Sequence, residues 1–460
     1  MSSSEAIMWA VEKDPALRSD FCNLTFLDRR PRDDRIRETV ARALDAIPRL
    51  SQRVIGAPLR IVPPEFADDP WLDLDAHVRV VAVPSPGDDR ALLDLCGALA
   101  EQPLDRARPL WEFTIIDGLA GGRAALLQKI HHTITDGVGG LKLSLALVDF
   151  ERDPEPTTRA DARREAREPR EIDSPATPLT AARDAVVDAG RRGIDAVWRT
   201  IGTAGHVVTH PGEVPGRATD TARLLSSIQR QALVTDAARS DVTTGRSLRR
   251  HFEVHAIALE PMRIAATKLG GSLNDAFVTG LASALGRYHE RSGSPVDELR
   301  LAMPISTRQR GDGATNRFAP ARVLVPIQPA RDLPALFDIV HERLHTAKHE
   351  TALGAADGLA ALVSGLPTSL LVSMTRSQTR TIDFAASNLR GSPVPLYLAG
   401  SRILGNYAMG PRTGCALNVT MISYCDELHL GLNIDPAAIV DVEGFMDDVR
   451  AAFGALCALG

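Results

Sequence analysis

The sequence predicts a mixed α/β protein built from two units of similar size. At 460 residues the chain is longer than one ordinary hydrophobic core requires. Strand-like and helix-like periodicities alternate in both halves, without a fixed repeat period. Between residues 151 and 245 the composition turns to charge and proline, which is typical of a linker. We therefore predict an N-terminal domain at 1–150, a linker at 151–245 and a C-terminal domain at 246–460.

The N-terminal domain contains strands with one helix among them and another at its end. Residues 21–28 ("FCNLTFLD") and 77–84 ("HVRVVAVP") alternate as strands do, and residues 33–47 carry apolar residues at helical spacing. Residues 108–132 predict a hairpin of two strands around a glycine-containing turn. A helix should follow at 137–148, with one apolar face formed by Val138, Leu141, Leu145 and Val148.

The linker and one later segment leave two interpretations open. Apolar residues between 187 and 201 recur at helical spacing among arginines, so an amphipathic helix there either packs on a domain or lies on a lipid surface. The uncharged run Gly358–Met374 is too short and too polar to span a bilayer. It is either a buried helix pair broken at Pro367 or a surface that touches lipid.

The C-terminal domain repeats the mixture of strands and helices. Its predicted strands are 249–259, 299–306, 321–327 and a pair around Asp426-Glu427. Its predicted helices are 270–290, one that Asp332 caps and that runs to about 349, and a final one from Asp441. This order of elements matches a second α/β unit.

The composition excludes several classes of function. A formal charge of −5 gives no basic excess for nucleic acid. The five cysteines are widely spaced without a CxxC pair, which predicts free thiols in a reducing compartment and no structural zinc. The N-terminus lacks a secretory signal pattern, so we expect a cytoplasmic protein.

The stretch "QKIHHTITDGVGG" (128–140) holds the candidate chemistry. His131 and His132 end a predicted strand, and Asp136-Gly137 follow. Adjacent side chains on a strand point to opposite faces, so the two imidazoles and Asp136 do not readily converge on a metal ion. A neutral imidazole with an ordinary pKa near 6.5 suits proton abstraction, which makes His132 the candidate base.

Asp136 and Gly137 have a supporting part in this hypothesis. The chain turns there from strand into helix, where glycine relieves crowding and the carboxylate orients backbone or an arginine. The structural alternative is a histidine pair satisfied in the core near a capping Asp136. The four residue types at this spacing rarely arise by chance, which favours the chemical interpretation.

Further segments narrow the interpretation, and the chain resembles the bacterial wax ester synthase/diacylglycerol acyltransferase family of the CoA-dependent acyltransferase superfamily. The family's HHxxxDG motif matches His131 to Gly137. The other similar segments are "RPLWEF" (108–113), "SLNDAF" (272–277), "MPISTR" (303–308), "TNRF" (315–318), "SNLRGSPVPLYLAGSRI" (387–403) and "LNVTMISYCDELHLGL" (417–432). They cover both predicted domains and leave the linker without a motif.

The resemblance implies two chloramphenicol-acetyltransferase-like domains with an interdomain tunnel. It implies transfer of a fatty acyl group from acyl-CoA, a co-substrate, to diacylglycerol or a long-chain alcohol. Neither a metal nor another cofactor is required. By likeness, His132 is the catalytic base that takes the proton of the acceptor hydroxyl. A lipid substrate and the two segments above lead us to predict peripheral association with a membrane or with lipid inclusions.

Five other residues have two interpretations each. Asn274 is a candidate oxyanion donor at a helix start, whereas Ser272 and Asp275 also match a capping box. Pro109 and Trp111 pack at a strand start or line an acyl channel. Asn388 and Arg390 shape a turn, which we favour, or meet the CoA phosphates.

Two rival functions remain open from the sequence. A condensation-type acyltransferase would take its acyl group from a carrier protein and form an amide or ester. A non-catalytic lipid-binding relative would keep the fold and use the histidines as scaffold.

Overall fold

Two six-stranded mixed sheets, with helices packed on them, form the protein. The computed structural model describes residues 1–56, 64–134, 143–154, 239–306, 318–328, 331–348 and 368–460. The predicted mixed α/β class is confirmed.

The first sheet carries the predicted hairpin at its centre. Its strands are β1 (Asp20–Leu27), β4 (Val78–Ala82), β5 (Trp111–Asp117), β6 (Ala124–His131), β11 (Tyr397–Leu398) and β12 (Ser401–Met409). They lie in the order β11-β12-β1-β6-β5-β4, and only β4 and β5 run parallel. A separate hairpin pairs β2 (Gln52–Ile55) with β3 (Glu65–Asp68).

The second sheet belongs wholly to the C-terminal part of the chain. Its strands are β7 (His251–Ala258), β8 (Glu298–Ser306), β9 (Phe318–Pro326), β10 (Phe384–Leu389), β13 (Leu417–Tyr424) and β14 (Glu427–Ile434). Their order is β7-β14-β13-β10-β8-β9, and β10 is parallel to both of its neighbours.

Apart from the short helical segment 143–147, nine α-helices accompany the sheets in the described part of the chain. They are α1 (Ser3–Val11), α2 (Asp33–Ala46), α3 (Leu74–His77), α4 (Asp89–Glu101), α5 (Leu259–Lys268), α6 (Leu273–Arg291), α7 (Leu333–Lys348), α8 (Thr368–Arg380) and α9 (Val442–Cys457). The predicted caps Asp332 and Asp441 each accept a backbone N–H from the first turn of α7 and α9. Side-chain capping thus begins both helices at the predicted residues.

Apolar residues fill three main regions around the sheets. One face of the first sheet packs in a buried cluster with α2, which includes Ile36 and Val40 of the helix and Ile130 of β6. The opposite face packs against α4 and also meets Phe252 of β7. One face of the second sheet packs against α6, α7 and α9. The contact between α4 and β7 brings the two sheets together.

Strands β11 and β12 lie in the first sheet although they follow β10 of the second sheet in the chain. Cys22 of β1 pairs with Met409, and Leu27 pairs with Ile403. Backbone pairing with β1 satisfies hydrogen-bonding groups that an exposed edge would leave unpaired. The segment 397–409 therefore completes the sheet that carries the two histidines, and the predicted domain boundaries stay a prediction.

The structure corrects one detail of the helix predicted at 137–148. Its described part, residues 143–147, is helical, but Leu145 is 55% exposed and does not belong to the buried face. Leu143 and Leu147 are the buried residues. They are four positions apart, which is the spacing of one helical face.

Two sequence predictions fall partly or wholly outside the described residues. The predicted amphipathic helix at 187–201 lies outside them, as does most of the linker. Of the uncharged run Gly358–Met374, only the part in α8 is described, and this helix begins directly after Pro367. No helix among the described residues is long and apolar enough to cross a membrane. All five cysteines are free thiols.

Candidate active site

The two adjacent histidines occupy different environments at the end of β6. The strand ends at His131, one residue earlier than predicted, and His132 begins the turn that follows. Residue His131 is 2% exposed, whereas residue His132 as a whole is exposed. The two adjacent residues thus differ in accessibility, and His132 is the one of the pair that solvent reaches.

Contacts at both nitrogens fix the His131 ring. Its Nε2 lies 2.6 Å from Oε1 of Glu12, which directly follows α1. Its Nδ1 accepts the backbone N–H of Thr133 at 3.1 Å and also lies 2.7 Å from the Thr133 hydroxyl. Since Nδ1 accepts, Nε2 carries the proton that is donated to Glu12.

The same carboxylate also controls the backbone beside His132. Oε1 of Glu12 accepts the N–H of Ser19 at 2.7 Å. The carbonyl of Ser19 in turn accepts the N–H of His132 at 3.3 Å. The Phe21 ring lies 4.9 Å from the His132 ring, centroid to centroid. The His132 side chain is thus exposed on a backbone that hydrogen bonds hold in place.

The surroundings of His132 keep its imidazole neutral. Burial among protein atoms and the neighbouring His131 lower the pKa of His132 to about 4, while Asp20 and Glu12 act in the opposite direction. The residue also keeps contact with solvent, which moderates this desolvation. Both observations leave the ring unprotonated at pH 7, which a general base requires.

A buried ion pair joins the two sheets close to this turn. Arg250 Nη2 donates to Asp20 Oδ1 at 3.1 Å, and Nη1 lies 2.8 Å from Oδ2 without hydrogen-bond geometry. Asp20 opens β1 and pairs in register with His131. Arg250 directly precedes β7 of the second sheet. The pair therefore links the histidine-bearing sheet to the other half of the molecule.

Pro109 and Trp111 lie in the interior. The Trp111 indole is fully buried, donates from Nε1 to the carbonyl of Leu50 at 2.8 Å, and stacks on His77 at 4.5 Å. Pro109, Trp111 and His77 also line a cavity of about 210 Å³. The burial of Trp111 agrees with the packing interpretation. The residue also forms part of the lining of this cavity.

The Ser272–Asp275 capping box is confirmed. Ser272 caps α6, and the two residues exchange backbone and side-chain hydrogen bonds. Asp275 also meets Nδ1 of His341 at 2.9 Å. The side-chain amide of Asn274 contacts the sulfur of Met303 at 3.8 Å. The contacts of Asn274 lie within the second half of the molecule and do not include His132.

The preferred interpretation of Asn388 as a turn residue is wrong. Asn388 lies in β10 and pairs with Met421 of β13, because the parallel ladder continues to Leu389. Arg390 follows the strand, and both side chains are exposed. Asp136 and Gly137 lie outside the described residues, so their roles stay predictions.

Sequence reasoning missed Glu12, Ser19 and Thr133. Glu12 is 119 residues away from His131, and no local pattern connects them. A carboxylate near a helix end looks like any other surface residue in the sequence. Among the residues that the structure describes, no group of three or more His, Cys, Asp or Glu side chains could hold a metal ion.

Comparisons with known proteins agree on one family. A model of the wax ester synthase/diacylglycerol acyltransferase catalytic domain matches residues 1–277, and the corresponding C-terminal domain matches 314–456. A putative diacylglycerol O-acyltransferase of Mycobacterium tuberculosis is 33% identical over 98% of this chain and 90% of its own length. Another from the same species is 29% identical over 90% and 86%.

Solved structures share the fold. The wax ester synthase/diacylglycerol acyltransferase of Marinobacter aquaeolei has a TM-score of 0.64 at 19% identity, covering 98% of this chain and 97% of that one. The starter condensation domain of a rhizomide synthetase in complex with C8-CoA has a TM-score of 0.57 at 13% identity, covering 100% and 94%.

Proposed function

The chain belongs to the wax ester synthase/diacylglycerol acyltransferase family, and we propose that it transfers a fatty acyl group from acyl-CoA to diacylglycerol or a long-chain alcohol. It is an acyltransferase, as the family match over both domains indicates. The related proteins carry the name diacylglycerol O-acyltransferase, which supports an alcohol as acceptor. One observation supports the mechanism most: His132 is exposed, neutral and held by its backbone.

His132 acts as the general base in this proposal. Its imidazole takes the proton of the acceptor hydroxyl while the hydroxyl oxygen attacks the thioester carbonyl. The tetrahedral intermediate then expels the CoA thiolate, and the imidazolium returns the proton to sulfur. The ester bond forms as the thioester bond breaks, so no covalent enzyme intermediate is required. A pKa below the ordinary value leaves the ring ready to accept a proton at pH 7.

The other motif residues support this base. His131 is a positioning residue, since Glu12 and Thr133 occupy both of its ring nitrogens. Asp136 and Gly137 are proposed to shape the turn after the histidines. Asn274, in the first turn of α6, stays the candidate donor to the oxyanion of the tetrahedral intermediate. The exposed Arg390 side chain is a candidate partner for the CoA phosphates.

We also propose that the protein associates peripherally with a lipid surface. Leu370 is 45% exposed and Met374 is 39% exposed, and they are four positions apart on α8. This spacing places both apolar side chains on one helix face. The expected result is flotation of the protein with liposomes of anionic phospholipid. Protein that stays wholly in the soluble fraction would contradict this proposal.

A product assay tests the activity. Purified protein is given labelled palmitoyl-CoA with diacylglycerol, with hexadecanol or with water alone, and the products are separated by polarity. We expect labelled triacylglycerol, wax ester or both, and little free fatty acid. Transfer only from an acyl-carrier protein would indicate a condensation-type enzyme. Acyl-CoA binding without turnover would indicate a lipid-binding relative.

A further inference from the structure

Three amide side chains and one hydroxyl form a hydrogen-bonded row across the first sheet. The amide row consists of Asn23 and Thr25 of β1, Gln128 of β6 and Asn406 of β12. Asn23 Nδ2 donates to Gln128 Oε1 at 3.0 Å and to Asn406 Oδ1 at 2.8 Å. Thr25 Oγ1 donates to the same Asn406 oxygen at 3.0 Å. The row therefore spans three adjacent strands.

The amide row lies on the sheet face of the candidate base. Side chains two residues apart on a strand share a face, so Phe21, Asn23 and Thr25 point to one side of β1. Phe21 is the residue whose ring contacts His132. Asn23 follows Phe21 by two residues, a rise of about 7 Å along the strand. A substrate held at His132 thus has the amide row within its own length.

This part of the sheet is open although its strands are central. Phe21, Asn23 and Asn406 are half-buried rather than buried, while β1 has a paired strand on either side. Residues in the middle of a sheet keep such exposure only where nothing packs closely over them. Solvent therefore reaches part of the amide row on the sheet face that Phe21 shares, although Ile130, Gln128 and Thr25 of the same face are buried.

Two amide groups in the row have donors that no described residue uses. The Gln128 side chain is 8% exposed, and its Oε1 accepts from Asn23, but its Nε2 has no acceptor among the described residues. The same is true of Nδ2 of Asn406, within the described part of the chain. Neither nitrogen is among the fully enclosed atoms that lack a partner, so water or the oxygen atom of a ligand can accept from it.

The second sheet holds one end of the row in place. The backbone N–H of Asn406 donates to Nδ1 of His429 at 3.1 Å. His429 lies on β14, is 1% exposed and stacks on Tyr407 at 4.7 Å between ring centroids. Because both sheets fix β12, the amide row is preorganised for a ligand rather than formed around it.

We infer that the amide row binds the ester carbonyl groups of a diacylglycerol acceptor and thereby selects it over a long-chain alcohol. This inference rests on the proposed function. Free N–H groups require carbonyl or hydroxyl oxygens, and a diacylglycerol carries two ester carbonyls close to its hydroxyl. A long-chain alcohol has only methylene groups at that distance. A site built to hydrogen-bond a substrate disfavours an analogue that lacks the partner groups.

The pantetheine arm of CoA is the other source of carbonyl groups in the reaction. If the amide row bound that arm, its loss would weaken acyl-CoA binding with every acceptor. If the amide row binds diacylglycerol, its loss lowers kcat/KM for diacylglycerol only and leaves the acyl-CoA KM unchanged. Kinetics with two acceptors and a varied donor separate these cases.

The test is the variant Gln128→Met. Methionine keeps the length of the side chain and removes the free donors, and Asn23 retains its bond to Asn406. Gln128→Asn is the second variant. It keeps the amide group on a side chain that is shorter by one methylene. Thr114→Val is the matched control, because Thr114 lies on β5 and points to the opposite face of the sheet. Thermal melting checks that each protein is folded.

We expect kcat/KM for diacylglycerol to fall about 10-fold in Gln128→Met, as the loss of one substrate hydrogen bond requires. The values for hexadecanol and the KM for palmitoyl-CoA should stay within about twofold. Equal losses with both acceptors, a raised acyl-CoA KM, or a wild-type preference for hexadecanol would overturn the inference. Absence of any acyl transfer by the wild-type protein would instead refute the proposed function.

Discussion

Glu12 Oε1 lies 2.6 Å from Nε2 of His131 and also accepts the backbone N–H of Ser19. One carboxylate oxygen at the end of α1 thereby contacts the buried histidine and the residue whose carbonyl holds the His132 backbone. Glu12 is therefore a positioning residue. It acts on His132 through the ring of His131 and through the backbone of Ser19.

The first prediction concerns Glu12→Gln. The amide keeps the shape but replaces a charged acceptor, so both contacts weaken and His132 is held less firmly. We expect kcat to fall about 10-fold with a KM that changes little. Steady-state kinetics with palmitoyl-CoA check this. Glu65→Gln, an exposed carboxylate on β3, is the control and should behave as wild type. A raised KM with unchanged kcat would argue against positioning.

The second prediction compares the two histidines. His132→Ala should reduce turnover by about 10²–10⁴-fold with little loss of fold, because it removes the base. His131→Ala should reduce turnover less and destabilise the protein by about 1–3 kcal/mol, since it leaves buried partners unpaired. Turnover and urea unfolding measure both effects. The reverse order of severity in turnover would refute the assignment of the base.

The third prediction concerns pH. The pKa of His132 is lowered to about 4, and the neutral form that accepts protons is present above that value. The acid limb of kcat/KM should therefore lie below pH 6.5, in the direction of pH 4. Activity should change little between pH 8 and about pH 5.5. An acid limb at pH 6.5 would show that the base is an ordinary solvated histidine.

The free energy of unfolding should also depend on pH through His132. The unfolded His132 has the ordinary pKa, so below about pH 6.5 the unfolded state binds the proton more readily than the folded state. The contribution of this residue to stability is present above pH 6.5 and is lost as the pH falls towards 4. Urea unfolding at pH 7 and pH 5 should show a smaller loss in His132→Ala than in wild type.

The fourth prediction concerns the ion pair between the sheets. Arg250→Met leaves the Asp20 carboxylate buried and unpaired, which should cost about 3–5 kcal/mol of unfolding free energy. The double variant Asp20→Asn/Arg250→Met should recover part of this loss. Arg263→Met, which breaks the exposed pair with Glu260, is the control and should change stability little. Similar losses of unfolding free energy in Arg250→Met and Arg263→Met would contradict a stabilising role for the buried ion pair.

The fifth prediction concerns Trp111. Trp111→Phe removes the indole donor to Leu50 and leaves a void in the core, so stability should fall by about 2 kcal/mol. The ratio of activity with diacylglycerol to that with hexadecanol should not change. Trp71→Phe, at a side chain 66% exposed, is the matched control for stability. A changed acceptor ratio would identify Trp111 as a channel wall.

Local patterns in the sequence predicted much of the secondary structure and the candidate base. Alternation placed β1 and the β5–β6 hairpin, and capping residues placed the starts of α6, α7 and α9. The side-chain periods of strands and helices depend only on neighbouring residues, so a single sequence contains them. The same reasoning failed at Leu145. The helical period was predicted correctly, but Leu145 was assigned to the buried face of the helix and is exposed.

The sequence by itself determined the α/β class, the resemblance to an acyltransferase family and the difference between His131 and His132. Only the tertiary structure decided that β12 completes the first sheet, that Glu12 holds His131, and that Asn23 meets Asn406 across 383 residues of chain. The physical reason is that local periodicity sets the direction of a side chain, whereas its partner is set by long-range strand pairing and packing, which no short stretch encodes.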